Sequence, residues 1–315
     1  MESTAAYGRR MRAVIINSYG GPEVLRVAET PLPEPGPGQV RIRVAAAAVN
    51  PVDLQTRSGA LAGLLPPRET IGIGWDLSGT VDAVGPRVTG FLVGERVVAL
   101  SDRLALPAKA QADFAVLDAE AVGKLPPDVD LVAAATLPLN ALTAAQALDL
   151  AGLRPGQTLL VTGAAGGVGG FAVELAARSG LRVVATADEQ DELFVREAGA
   201  SEVVPRGREL ADVVRKRVPE GVDGVIDAAS LGVAALDAVR GGGVHVAVLG
   251  GAPVPLRGTR VVNVWIRADG PRLTALAAAG LRLRVAETMP LSRVADAHRT
   301  LEKGGVRGRL VLTID

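Results

Sequence analysis

The stretch "VTGAAGGVGGF", residues 161–171, constrains this chain more than any other. It ends the apolar run "TLLVTG" (158–163) and opens "GGFAVELAARSG", where Phe171, Val173, Leu175 and Ala176 give a helix an apolar side. A strand that turns through glycines directly into a helix brings backbone N–H groups and a helix N-terminus to one point, which suits a phosphate. Against the spacing G-x-G-x-x-G, Ala164 stands first, Gly166 second and Gly169 third, with Gly163 and Gly167 adding freedom. By itself such a loop could be no more than a tight turn. Its surroundings decide otherwise: the strands "RVVATA" (182–187), "EVVP" (202–205), "GVIDAA" (224–229) and "VHVAVLG" (244–250) follow, separated by helical segments. Uninterrupted Val/Leu/Ile strands alternating with helices imply a doubly wound parallel sheet covered on both faces. As the first turn of that run, the loop reads as a dinucleotide cradle.

The rest of the chain has a different rhythm. Before residue 130, short β-rich runs such as "RAVIIN", "QVRIRVAAAAV", "LSGTVDAVG" and "GERVVAL" are broken by Pro/Gly clusters like "TPLPEPGPGQ", which predicts a turn-punctuated β domain. "AAATLPLNALTAAQALDLAG" is helix-like and leads into the alternating region. After it come "RVVNVWIRA", the helix "GPRLTALAAAG", the strand "RLRVAET", the helix "LSRVADAHRTLEKG" and the strand "GRLVLTI". That closing segment is predicted to return to the first domain. The expected division of this α/β chain is 1–130, 131–255 and 256–315.

Composition removes several classes of function. Thirty-four basic residues balance thirty-four acidic ones, so no global field draws the chain to nucleic acid or to an anionic membrane. A small molecule is the expected partner. No apolar run approaches the roughly 20 residues of a membrane span, and the start lacks a signal-peptide core, so a cytoplasmic location is expected. Cysteine is absent, which removes disulfides, thiolate nucleophiles and Cys-ligated zinc together. The two histidines, His245 and His298, are far apart in sequence and read as structural; no metal site is expected.

Which nucleotide the cradle takes is set beyond the loop. Asp188, at the end of the second strand, stands where an acidic residue binds a ribose 2′-hydroxyl. Arg206, just past the third strand, is the nearby cation able to hold a 2′-phosphate. The first favours NADH and the second NADPH.

With these residues in view, the chain resembles the zinc-independent medium-chain dehydrogenase/reductases of the quinone oxidoreductase, ζ-crystallin-like branch. The matching pieces are "GGPEVLRVAETPLPEPGPGQVRIRVAAAAVNPVDLQTRSG", "GWDLSGTVDAVGPRVTGFLVGERVVAL", "TLPLNALTAAQAL", "VTGAAGGVGG", "GVDGVIDAA" and "ADAHRTLEKGGVRGRLVL". The resemblance implies a GroES-like β domain, a Rossmann domain and a C-terminal return. Zinc-using relatives carry a cysteine in the "NPVD" stretch; here it is absent. The implied activity is hydride transfer from NADPH, with NAD as the second choice, to a quinone or an α,β-unsaturated carbonyl. An enoyl reductase tailoring a natural product, or a nucleotide-binding protein without catalysis, are the alternatives. The implied cofactor contacts are Thr143, Gly163, Ala164, Gly166, Gly167, Val168, Asp188, Arg206, Ala228 and Leu249. Asn50 and Asp53 are placed near the nicotinamide as the catalytic pair, although they equally suit a turn in which they cap their own backbone. Trp75, Asn140 and Trp265 are candidates for the substrate pocket wall, with core packing the competing role. The phenols Tyr7 and Tyr19 lie away from these motifs, leaving water or Asp53 as the proton source. A homodimer is expected, with "RVVNVWIRA" as an edge strand suited to pairing.

Overall fold

Alternating apolar residues carry the first part of the chain into strands β1 (Arg10–Ile16), β2 (Arg26–Pro31) and the eleven-residue β3 (Gln39–Val49). Pro51 then sits in the first turn of helix α1 (Pro51–Ser58), where its missing N–H costs nothing. Strands β4 (Ile71–Gly72), β5 (Asp76–Val84), β6 (Arg96–Leu100), β7 (Phe114–Asp118) and β8 (Val122–Lys124) follow, then the short helix α2 (Leu131–Ala134). The computed structural model describes residues 9–64, 68–104, 106–207, 209–248 and 250–315; the expected contact at Leu249 and the phenol of Tyr7 lie outside them.

Helix α3 (Pro138–Ala151) leads into six parallel strands. These are β9 (Thr158–Thr162), β10 (Arg182–Thr186), β11 (Glu202–Val204), β12 (Val222–Asp227), β13 (Val239–Ala247) and β14 (Arg260–Asn263). Helices α4 (Gly167–Arg178), α5 (Glu192–Glu197), α6 (Leu210–Arg217) and α7 (Val233–Leu236) connect them. The strand order β11-β10-β9-β12-β13-β14 reverses at β9, so the crevice at the carboxyl ends of β9 and β12 is the topological switch point. The core of this sheet is built on Leu160, Val184, Val204, Val225 and their neighbours.

The chain closes with helix α8 (Gly270–Ala278), β15 (Val285–Pro290), helix α9 (Val294–Lys303) and β16 (Arg309–Thr313). Here β16 pairs antiparallel with β3, Val311 opposite Ala48, so the last segment does extend the first sheet, in the order β15-β16-β3-β5-β6-β8. Two compact units result, Met1–Leu139 with Ala268–Asp315, and Asn140–Arg267. The units part nine to twelve residues later than the expected ends at 130 and 255. Helix α2 packs on β3 and β5, where Ser78 Oγ donates to Leu131 O, and β14 is the sixth strand of the parallel sheet. Among the described residues no helix is long and apolar enough to cross a membrane.

In the first unit, α9 and α1 meet through a buried polar contact. Arg57 Nη1, which can only donate, gives a hydrogen bond to His298 Nδ1 at 3.4 Å and pairs with Glu302. Burial, reinforced by the Arg57 charge, pushes His298 down to about 3. An unfolded chain therefore binds a proton at His298 below pH 6.5 that the folded chain refuses, so stability falls as pH drops through this range. Wild type is expected to lose roughly 3 kcal/mol between pH 6.5 and pH 4 through this residue alone, and His298→Gln to lose correspondingly less, as read from urea midpoints.

Candidate functional site

The glycine turn is held from both sides in the second unit. Gly163 lies at φ +61, a left-handed conformation that favours glycine, and its N–H donates to Thr186 Oγ1 at the end of β10. Gly166 N–H returns to Gly163 O at 2.9 Å, closing the turn. A Cβ on Gly169 would stand 2.1 Å from Gly163 O, so only glycine lets α4 start this close to β9. A Cβ on Gly166, in contrast, would meet only Gly163 O, at 3.2 Å. The backbone in front of the helix N-terminus is thus open, and Gly166, Gly167 and Val168 are half-buried there. The cradle fits a pyrophosphate.

Beneath it lies a network that the sequence did not reveal. Asp227, buried at the end of β12, accepts from Thr162 Oγ1 (2.6 Å), Leu231 N (3.1 Å) and Gly232 N (2.8 Å), while Ala229 N donates to Thr162 Oγ1. One carboxylate therefore fixes the loop that carries Ala228 to the residue that precedes Gly163. At 3.6 Å His245 Nε2 is too distant for a hydrogen bond but lies beside the same carboxylate. Burial raises Asp227, yet the donors around it prevail and hold it at about 2.

The rest of the expected nucleotide site behaves variously. Asp188 and Arg206, read as rivals for the ribose, are ion-paired with each other at 3.3 Å and are both half-exposed. Thr143 and Asn140 on α3 are buried. Trp265, a candidate pocket wall, is 77% exposed.

In the first unit Asn50 and Asp53 come together, both with no exposed surface. Asp53 Oδ2 accepts from Asn50 N (2.8 Å) and Oδ1 from Gly74 N (3.1 Å). Asn50 Nδ2 donates to Asp76 Oδ2 (3.1 Å), and Leu139 N donates to Asp76 Oδ1 (3.0 Å). The capping role considered for Asn50 and Asp53 is therefore present, and it extends into a buried polar cluster. Residues 110–111 run beside 73–74 through Gln111 N to Ile73 O and Ala110 N to Gly74 O, which sets Lys109 next to Trp75. Lys109 Nζ lies 4.0 Å from the Trp75 ring centre, a cation–π contact. Burial raises Asp53 to about 6 and Asp76 to about 8, and lowers Lys109 to about 8. A cavity of about 600 Å³ in the same unit is lined by Met11, Leu100, Asp102, Ala108 and Phe114 among others, and does not include this cluster.

Asp76, Lys109 and Asp227 were not singled out from the sequence. Lys109 offered one signal: it is one of only four lysines in a chain whose other thirty cations are arginines.

A GroES-like β unit and a dinucleotide-type parallel sheet in one chain are the build of the medium-chain dehydrogenase/reductases. Residues 36–127 match the family model for the alcohol dehydrogenase GroES-like domain, and residues 198–312 that for zinc-binding dehydrogenase. The quinone oxidoreductase of Lama guanicoe is 32% identical over 97% of this chain and 98% of its own. The NADPH-dependent alkenal/one oxidoreductase of Arabidopsis thaliana is 30% identical over 98% of this chain and 81% of its own. A mycobacterial protein solved in complex with NADPH superimposes with a TM-score of 0.81 at 29% identity, covering 96% of this chain and 100% of that one. The chain belongs to the quinone oxidoreductase family of medium-chain dehydrogenase/reductases.

Replacing the Asp227 carboxylate tests the network beneath the cradle. Its lowered pKa means a contribution present above the ordinary Asp range and lost as pH falls towards 2. Asp227→Asn is expected to cost about 2 kcal/mol at pH 7 and the same at pH 5, both being above that window, as read by urea denaturation. A loss that changes between those two pH values would contradict the assignment.

Proposed function

We propose that this chain is a reductase that uses a nicotinamide nucleotide, NADPH before NADH, to reduce quinones or α,β-unsaturated carbonyls without zinc. The observation that carries this reading is the open glycine turn between β9 and α4, in a chain matched nearly end to end by quinone and alkenal/one oxidoreductases. When bound there, the nicotinamide supplies the hydride.

The protein's own residues do the rest. Gly163 and Gly166 hold the turn open through their own hydrogen bonds, and Gly167 and Val168 at the start of α4 present N–H groups to the pyrophosphate. Asp227 and Thr162 keep the loop at Ala228 in place. Asn50 and Asp53 hold the polar cluster of the first unit. With no cysteine to supply thiolate ligands for zinc, the acceptor must already be electron-poor, as quinones and enones are.

Arg206 is the group proposed for the 2′-phosphate. Exchanging Asp188 for a phosphate costs it little, because a half-exposed ion pair contributes about 1 kcal/mol or less. The NADPH named for the Arabidopsis relative and bound in the mycobacterial structure supports the same choice. For assembly, β14 is the edge strand of the parallel sheet among the described residues, and we propose a homodimer contact there.

Stopped-flow loss of NADPH absorbance with a panel of quinones and enones is the test of the activity; no turnover on any member would overturn it. Arg206→Ala is expected to weaken NADPH binding at least ~10-fold while leaving NADH unchanged, and Asp188→Ser to favour NADPH. Equal effects on the two nucleotides would remove Arg206 from the site. Light scattering coupled to gel filtration is expected to give twice the chain mass, and a monomer would refute the edge-strand contact.

A further inference from the structure

Lys109 is the ionisable group in the first unit with the least accounted-for environment. Its side chain is almost wholly buried, and among the described residues its ammonium has no hydrogen-bond acceptor and no carboxylate within ion-pair distance. The Trp75 face satisfies its charge but accepts none of its three N–H donors in the plane of a lone pair. Both oxygens of Asp53, and both of Asp76, already accept other donors. Among the described residues its N–H donors therefore remain without an oxygen that accepts from them.

We propose that Lys109 is a catalytic residue, which hydrogen-bonds the carbonyl oxygen of the acceptor and delivers the proton that completes its reduction. The proposal rests on the reductase reading above. An enone that takes hydride from the reduced nicotinamide at its β-carbon moves the C=C pair into a C–C–O enolate, and the nicotinamide is oxidised. The Lys109 N–H bond then breaks, the proton passes to the enolate, and the amine left behind is reprotonated from water. A quinone follows the same balance: the hydride and the one proton from Lys109 together make the hydroquinone.

The charged groups facing Lys109 are Asp53 at the head of α1, Asp76 on β5 and Asp102 after β6, while Arg309 at the start of β16 faces the two first-named acids. Asp53 favours the ammonium against the burial that lowers it, so the donor form is present below about pH 8 and is lost above it. Asp76 changes charge in the same range, so a pH profile is informative only beside Lys109 variants.

Two substitutions separate a proton donor from a counter-ion. Lys109→Arg keeps the positive charge but does not release a proton, and Lys109→Met removes both. Both are expected to lower kcat at least ~100-fold with NADPH affinity intact, and Arg to retain KM where Met does not. A counter-ion role predicts instead that Arg restores kcat, and this result would overturn the proposal. A second readout needs no turnover. Trp265→Phe leaves Trp75 as the sole tryptophan. Its emission is expected to titrate near pH 8, and added cyclohexanone to move the midpoint upward, because a carbonyl accepting from the ammonium favours the charged form. A midpoint that cyclohexanone does not move would overturn the proposal, even should the Lys109 variants fail to fold. Absence of any wild-type NADPH oxidation would defeat the reductase reading instead, and the cyclohexanone titration would still decide whether Lys109 takes a carbonyl oxygen.

Discussion

A carboxylate withdrawn from water persists only where N–H and O–H donors converge on it, and each unit is tied together at such a group. In the second unit Asp227 gathers Thr162, Leu231 and Gly232, and so fixes the loop after β12 relative to the glycine turn after β9. In the first, Asp53 gathers Asn50 and Gly74, while Asp76 gathers the Asn50 amide and Leu139. The segments around these acids include irregular backbone, and the acids supply acceptors that regular ladders would otherwise provide.

The two groups of acids are pushed in opposite directions. Asp227 has enough donors to overcome its burial and stays charged. Burial prevails at Asp53 and Asp76, which brings them and Lys109 into the range where protons move near neutrality. A rigid anion suits a scaffold beneath the glycine turn.

Much of the fold was legible because each element carried its own signal. The parallel strands read as unbroken apolar runs, and three of the five read from the sequence overlap β9, β10 and β11 almost residue for residue, while the fourth, 224–229, begins and ends two residues later than β12. β13 begins earlier than its apolar run, at Val239, because the glycines at 241–243 hide its first half from a pattern search. In "RVVNVWIRA" only Arg260–Asn263 pairs, so the strand is shorter than its apolar run. The glycine turn was legible for the same local reason: its requirement is conformational, and Gly163 and Gly169 state it directly. Asn50 and Asp53 could be picked out, but whether they cap a helix or face a ligand depends on Gly74 and Asp76, more than twenty positions away.

The sequence by itself determined the two rhythms of secondary structure, the cradle at residues 163–169 and the lack of thiolate ligands, since all three follow from residue type and short-range spacing. Only the tertiary structure decided that Asp188 pairs with Arg206 rather than opposing it, that Trp75 lies inside while Trp265 lies outside, and that Lys109 rests on the Trp75 indole. Those outcomes depend on burial and on neighbours distant in sequence. Local pattern carries no record of either.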